Sequence, residues 1–177
     1  MKQERIPSRR ECLRLLEENG VYPNIIEHSK TVTEIALEYG RKIKHNGGQV
    51  NLRLLEAAAL LHDISKHEGL GKDTNSEITH PEAGARKLRE VELPEVADVV
   101  EVHGFGKIFE PQKLNTWEKK LVYYADKRVN HDKRVNLGER LDYLINRYPH
   151  GAGMFRKAKP LLLKLEKDIF ERAGVKS

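Results

Sequence analysis

Apolar residues recur at steps of three and four along most of the chain, and this spacing predicts a fold built from helices. Capping-box signals precede two of these stripes, at Ser8 with Glu11 and at Thr79 with Glu82. The longest stripe predicts one helix over residues 23–44, and its members are Ile25, His28, Ser29, Val32, Ile35, Ala36, Tyr39 and Ile43. No strand ladder or internal repeat is visible, so we expect an all-α, single-domain helical bundle of seven or eight helices.

Three details of the helix assignment are less definite in the sequence. The third helix begins after the capping residue Asn51 and is expected to end near Lys66. The apolar run 121–124 would suit a strand if it stood alone, although its surroundings favour a helix. Pro160 either kinks the last helix or restarts it, because proline cannot donate the backbone hydrogen bond that a helix interior requires.

The size and composition of the chain indicate an intracellular globular domain. A chain of 177 residues can bury a core without disulfides, and Cys12 is the only cysteine, so no internal disulfide can form. No run of about 18 apolar residues is present, which argues against a membrane span. The charged N-terminus lacks a signal-peptide core. We therefore expect a cytoplasmic location.

The net charge of +5 favours anionic partners. Lysine and arginine are spread along the chain, without a dense cluster and without interleaved aromatic residues. This distribution is typical of a generally basic, solvated surface. We expect a small phosphorylated partner rather than nucleic acid, and the sequence leaves the oligomeric state open.

Several histidines and aspartates interrupt apolar stripes. His28 lies on the stripe of the second helix, and His62 and Asp63 follow the most hydrophobic segment of the chain. His103 extends a valine stripe, and Asp126 lies one turn from two buried-looking valines. A single such histidine is commonly a hydrogen-bonded core residue, but an unpaired buried carboxylate is costly. Convergence on a cation would explain all of them together, and imidazole with carboxylate suits Fe, Mn, Ni, Co or Zn.

The order of these residues resembles the signature of a known enzyme superfamily. His28, then the pair His62-Asp63 after an apolar run, then Lys66 and finally Asp126 follow the pattern of the HD phosphohydrolases. The similarity runs from about residue 25 to residue 129. It implies an all-helical HD fold in which His28, His62, Asp63 and Asp126 bind one metal ion. The chain would then divide into an N-terminal helix (1–22), an HD metal-binding core (23–135) and C-terminal helices that pack on the core (136–177).

Two further histidines match a subset of the superfamily. In two-metal HD enzymes, histidines at the places of His80 and His103 bind a second ion, and the aspartate at the place of Asp63 bridges both. The segment 117–126 also looks like bacterial HD hydrolases that split diadenosine tetraphosphate symmetrically. Those enzymes tend to carry an acidic residue and a proline soon after the aspartate, whereas 127–131 here reads Lys-Arg-Val-Asn-His. The resemblance therefore implies one or two divalent metal ions and leaves the substrate open.

The resemblance implies hydrolysis of phosphate esters or anhydrides, with a nucleotide or a related small compound as the substrate. Asp63 and Lys66 would be catalytic, and Lys66 lies one turn beyond Asp63, from where it could reach a phosphate. Lys66, Lys127 and Arg128 would bind substrate, although each is also compatible with a solvated helix end or face. Lys72 and Lys107 lie on flanking loops that would add positive charge, whereas His131 is expected at the surface.

Two other functions are compatible with the same residues. Some HD-fold proteins are di-iron oxygenases with the same ligand set, so the ligands do not exclude oxidation. A non-catalytic nucleotide-binding module is the third interpretation. Its usual mark is a broken ligand set, and the set here is complete.

Overall fold

A computed structural model describes residues 5–68 and 78–176 of the protein. Within these ranges the chain forms eight α-helices, which confirms the predicted all-α fold and the number of helices. They are α1 (Arg9–Glu18), α2 (Pro23–His45), α3 (Leu52–Leu61), α4 (His80–Glu90), α5 (Pro94–Val100), α6 (Trp117–Asp126), α7 (Leu137–Arg147) and α8 (Ala152–Ala173).

Local side-chain chemistry starts several of these helices where the sequence predicts. The carboxylate of Glu11 accepts a hydrogen bond from the Ser8 backbone N–H at 2.8 Å, which completes the capping box of α1. Glu82 accepts in the same way from the Thr79 N–H at 2.9 Å before α4. Asn51 caps α3 through the Leu54 N–H. These bonds use backbone donors that a helix start would otherwise leave unpaired.

Helices α2 and α3 form the centre of the core, and α6 and α8 pack against α2. The C-terminal half of α3 is buried, with Leu55 and every residue from Ala57 to Leu61 shielded from solvent. Gly40 faces it from α2, where an added Cβ would lie 2.5 Å from Leu55 Cδ2. The absence of a side chain at residue 40 therefore lets the two helices approach closely. Their packing brings the C-terminal end of α3 beside the first half of α2.

Helix α3 ends earlier than the sequence suggests. Its last residue is Leu61 rather than a residue near Lys66, and a single turn of 3-10 helix follows at Lys66–Glu68. Beyond Leu61 the backbone bonds tighten to a spacing of three, from Ile64 N–H to Leu61 O and from Lys66 N–H to Asp63 O. This tighter backbone path gives the side chains of His62 and Asp63 different directions from those of a continued α-helix. Residues 121–124 are helical, so their strand-like composition is overruled by burial within α6.

A short antiparallel hairpin follows α6, which corrects the expectation that the chain holds no strand pairing. Strand β1 (Val129–Asn130) pairs with β2 (Lys133–Arg134) across a two-residue turn. His131 opens the turn with φ of 56°, a left-handed conformation that is uncommon for residues other than glycine. The pairing involves two residues on each side, which is too short to produce a periodic signal in the sequence.

Helix α8 is continuous through Pro160, so the expected kink or restart does not break it into two elements. Ala158 before the proline and Leu162 after it are both fully buried. Burial of such side chains stabilises the helix by about 1.5–3 kcal/mol for each leucine-sized group, which offsets a proline cost of about 3 kcal/mol. Among the described residues, no helix combines the length and apolarity needed to cross a bilayer.

Candidate metal centre

Four of the predicted ligands meet in one buried group, drawn from α2, the end of α3 and the end of α6. His28, His62, Asp63 and Asp126 each offer a ligand atom, and these atoms lie within 4.8 Å of one another. His28 Nε2 is 3.1 Å from Asp126 Oδ1, and His62 Nε2 is 3.3 Å from Asp63 Oδ2. We refer to these four residues as the first group.

A second group shares one residue with the first. His80 Nε2 lies 3.2 Å and His103 Nε2 3.5 Å from Asp63 Oδ1, and the two imidazole nitrogens are 3.2 Å apart. Asp63 therefore faces the first group with Oδ2 and the second group with Oδ1. A carboxylate with two such faces is the arrangement that a bridging ligand between two ions requires.

Backbone carbonyls orient three of the histidines from behind. Nδ1 of His28 donates to His131 O at 2.6 Å, His62 Nδ1 to Ala59 O at 2.7 Å, and His103 Nδ1 to Val100 O at 2.6 Å. Because a carbonyl only accepts, each Nδ1 carries a proton, and Nε2 is the ring nitrogen that is directed into the site.

His131 is a contributor to the site that sequence reasoning missed. Its side chain is exposed, as expected, but its backbone carbonyl holds His28. The turn that begins at His131 brings this carbonyl back to α2 across a sequence separation of about one hundred residues. Backbone contacts of this kind leave no residue-type signal, so only the folded chain reveals the contribution.

Burial and charge act against each other throughout the site. Burial raises the pKa of Asp63, but His62 and Lys66 outweigh it and hold that pKa well below its usual range. The pKa of Asp126 is also held well below its usual range, because the charge of Lys127 outweighs the effect of burial. Burial opposes protonation of His62, yet the neighbouring Asp63 carboxylate raises its pKa to about 9. Burial lowers the pKa of His103 to about 4. The carboxylates are thus ionised although both are largely buried.

The site fits a divalent cation by two criteria. His62 Nε2 is fully buried and, among the described residues, has no partner with hydrogen-bond geometry, although Asp63 Oδ2 lies 3.3 Å away. This is a costly state for an imidazole nitrogen unless a ligand completes it. The surrounding donors are imidazole nitrogens and carboxylate oxygens without a thiolate, which suits Mn, Fe, Co, Ni or Zn. The two groups could therefore hold metal ions, and the donor set leaves the identity of the metal open.

Lys66 lies where the centre opens to the surface. Its Nζ is 2.6 Å from Asp63 Oδ2, and the side chain lines a cleft of about 410 Å³ that also includes His28. Lys107, predicted to border the site, pairs with Glu110 at 3.0 Å, and Lys72 lies outside the described residues. Lys66 is consequently the predicted cation that both touches the centre and reaches the cleft.

The other two predicted substrate-binding cations are engaged with protein groups. Lys127 is buried, and its Nζ donates to Asp126 Oδ2 at 2.8 Å and to His103 O at 2.7 Å. Arg128 bonds the Val135 carbonyl and Glu166. The geometry therefore does not support a phosphate contact for either. Both residues follow α6 directly, and at this place the sequence pattern does not distinguish a solvated cation from one that points inward.

Arg140 is a cleft residue that sequence reasoning did not single out. It extends from α7 into the same cleft as Lys66 and His28. Its Nη1 donates to Asn130 Oδ1 at 3.1 Å. Arginines are numerous in this chain, and the position of Arg140 becomes informative only when α7 is packed beside the hairpin.

Comparison with known proteins agrees with this geometry. The family model described as "HD domain" matches residues 25–130, which is more than half of the chain. Two similar curated proteins are named tRNA (cytidine(56)-2'-O)-methyltransferase. One, from Picrophilus torridus, is 31% identical over 84% of the chain, and the other, from Thermoplasma volcanium, is 33% identical over 77%. An uncharacterised protein of Methanocaldococcus jannaschii is 30% identical over 66% of the chain and 72% of its own length.

The chain spans less than half the length of the two named methyltransferases, 44% and 41% respectively. Their name consequently describes proteins more than twice as long as the shared segment. No solved structure matches the chain significantly. The shared segment therefore has to be interpreted from its own residues.

Proposed function

Because the chain belongs to the HD-domain family, we propose that it is a metal-dependent phosphohydrolase acting on phosphate esters or anhydrides of a nucleotide or a related small compound. The observation that carries this proposal is the position of Asp63. One of its oxygens faces His28, His62 and Asp126, and the other faces His80 and His103. Lys66 contacts the same carboxylate at the wall of an open cleft.

The residues of the site would have two roles, which are to hold the metal ions and to bind the phosphate. His28, His62, Asp63 and Asp126 would hold one ion, and Asp63, His80 and His103 a second. A bound divalent ion supplies a Lewis acid that polarises a phosphoryl oxygen and lowers the pKa of water. Lys66 would place a point charge against a phosphate entering from the cleft. Phosphoryl transfer depends mainly on such positioning and charge neutralisation.

The oxygenase alternative would use the same ligands, so the surroundings of the centre decide between the two. Lys66 and Arg140 both line the cleft beside His28, and two cations favour a phosphorylated substrate over a neutral organic one. A non-catalytic nucleotide-binding module would not need a complete ligand set. These observations support hydrolysis, and an activity screen distinguishes hydrolysis from oxidation.

A phosphate carried by an RNA end is the second candidate substrate. Two relatives carry tRNA in their names, and the net charge of +5 favours polyanions. This candidate differs from the expectation, drawn from the scattered lysines and arginines, that nucleic acid is not a partner. We do not propose methyl transfer for this chain, because the residues gathered at its centre are metal ligands by chemistry.

The deciding experiment is an activity screen of protein loaded separately with Mn²⁺, Fe²⁺, Co²⁺ or Ni²⁺. Substrates are phosphomonoesters, cyclic phosphates, dinucleoside polyphosphates including diadenosine tetraphosphate, and short RNAs with a terminal or cyclic phosphate. We expect phosphate release from at least one nucleotide class. Metal-loaded protein that is inert toward all of them would contradict the proposal, and oxygen consumption by the Fe²⁺ form with an organic substrate would favour the oxygenase.

Replacing Lys66 tests the phosphate-receiving role. Lys66→Ala is expected to lower kcat/KM about 10- to 100-fold, since a hydrogen bond to a charged group contributes about 1.5–3 kcal/mol. Metal content, measured by elemental analysis, should stay unchanged. Lys42→Ala is the matched control, because Lys42 is an exposed lysine that likewise pairs with a carboxylate nearby in the sequence. Equal kcat/KM values for the two variants would remove Lys66 from the proposed mechanism.

Replacing Lys127 tests whether it positions Asp126. Lys127→Met keeps the apolar stem and removes the bonds to Asp126 and to the His103 carbonyl. We expect metal affinity to fall about 10- to 100-fold, as is typical when a group that orients a ligand is lost. Competition with a chelator for Mn²⁺ measures the change. Lys133→Met, an exposed substitution in β2, provides the comparison, and equal affinities would show that Lys127 acts only in packing.

A further inference from the structure

The cleft beside the centre is walled on one side by residues that lie beyond the HD family match. That match ends at residue 130, whereas Arg140, Tyr143 and Leu144 come from α7 and Tyr148 follows it. Residues at spacings of three and four share one helix face, so α7 presents an arginine, a tyrosine and a leucine together. This wall belongs to the C-terminal part of the chain and is additional to the metal ligands.

Arg140 has an incomplete set of hydrogen bonds. Nη1 donates a hydrogen bond to Asn130, while Nε is buried and without a partner among the described residues. A guanidinium offers five donors in a planar fork that matches the oxygens of a phosphate. Two acidic residues also line the cleft: Glu27, which is paired with Lys30 at 2.7 Å, and Asp132, which is exposed on the hairpin turn. A phosphate held between Lys66 and Arg140 would accept hydrogen bonds from the terminal nitrogens of the Arg140 guanidinium.

The rest of the α7 wall suits a flat ring. Tyr143 packs edge-on against His131, with ring centroids 5.6 Å apart, and the Tyr148 side chain is substantially exposed. An arginine lies beside each ring, with Arg140 Cζ 5.7 Å from the Tyr143 centroid and Arg147 Cζ 5.4 Å from the Tyr148 centroid. A nucleobase would stack on the ring face that the arginine does not cover. The side chains of Asn24 and Asn130 add amide donors and acceptors to the lining. The cleft volume of about 410 Å³ lies within the range of about 300–1,000 Å³ that is usual for small-ligand sites.

We propose that the α7 wall is a nucleoside monophosphate subsite. Arg140 binds the phosphate on the side opposite the metal ligands, and Tyr143 with Tyr148 contacts the base. The subsite rests on the proposed hydrolase function in one respect, which is that the bound nucleotide is taken to be the compound on which the metal centre acts. It assigns the substrate class as a nucleotide whose phosphate lies at the Lys66 end of the cleft and whose base lies against α7.

Calorimetric binding of AMP, adenosine and ribose 5-phosphate tests the subsite without requiring turnover. Arg140→Gln should weaken AMP and ribose 5-phosphate binding about tenfold or more and leave adenosine binding unchanged. Tyr143→Leu, which retains an apolar side chain on α7, should weaken AMP and adenosine binding and leave ribose 5-phosphate unchanged. Arg156→Gln, an exposed arginine of α8, should bind all three like the wild type. Thermal unfolding of each variant checks that the fold is retained.

Two results would overturn the subsite. One is wild-type protein that binds AMP no more tightly than ribose 5-phosphate, and the other is AMP affinity in the α7 variants equal to that of Arg156→Gln. The failure of the hydrolase proposal has a different signature. AMP binding that depends on Arg140 and Tyr143, in protein that hydrolyses no phosphate compound, would reject hydrolysis and retain the subsite.

Discussion

Asp63→Asn is expected to empty the centre and to lower hydrolysis about a thousandfold or more. The two Asp63 oxygens face the two ligand groups separately, and an amide offers a single neutral oxygen in their place. Loss of the Lewis acid removes several kcal/mol of transition-state stabilisation, and each 1.36 kcal/mol corresponds to a factor of ten in rate. Elemental analysis of the purified variant together with the phosphate-release assay measures both effects.

Asp98→Asn is the matched control for this substitution. Asp98 is exposed and pairs with Arg89 at 2.8 Å, so its replacement removes a carboxylate without touching the centre. Metal content and activity of the control should equal those of the wild type. Full metal occupancy in Asp63→Asn would show that Asp63 is not a ligand, and the bridging role assigned to it would then be abandoned.

The double variant His80→Ala/His103→Ala is expected to keep about one metal ion per chain and to lose about one. Both Nε2 atoms face Asp63 Oδ1, and the first group does not include them. Hydrolysis should fall by about two to three orders of magnitude, because His80 and His103 would hold an ion that supplies part of the charge stabilisation in a two-metal site. Metal stoichiometry by elemental analysis and kcat with the best substrate of the screen give the two readouts.

The control and the single variants separate metal loss from damage to the core. His45→Ala/His150→Ala removes two exposed histidines and should change neither stoichiometry nor kcat. His103 is buried, whereas the His80 side chain is 32% exposed. The single variant His80→Ala therefore disturbs packing least and should still weaken binding of the second ion. Unchanged stoichiometry in the double variant would mean one ion per chain, with both histidines serving structure or substrate.

Much of the architecture was predictable from the sequence because helix periodicity and capping are local. The stripe of α2 and the capping residues Ser8, Thr79 and Asn51 predict where helices run and where they begin. The same stripes marked the polar candidates, since His28 and His103 interrupt apolar faces that must point inward. Folding brings these residues together with His62, Asp63, His80 and Asp126, as the resemblance to HD enzymes implied. Whether they bind metal in solution stays a prediction for the experiments above.

The sequence by itself thus determined an all-helical chain with imidazoles and carboxylates on its buried faces, because those properties repeat within a few residues. Only the tertiary structure decided which way each polar group points. It separates the two faces of Asp63, uses the His131 carbonyl to orient His28, buries Lys127 against Asp126 and brings Arg140 to the cleft. The physical reason is that these contacts join elements far apart in the chain, and a charged side chain has the same sequence signature in solvent, in an ion pair or in a binding site.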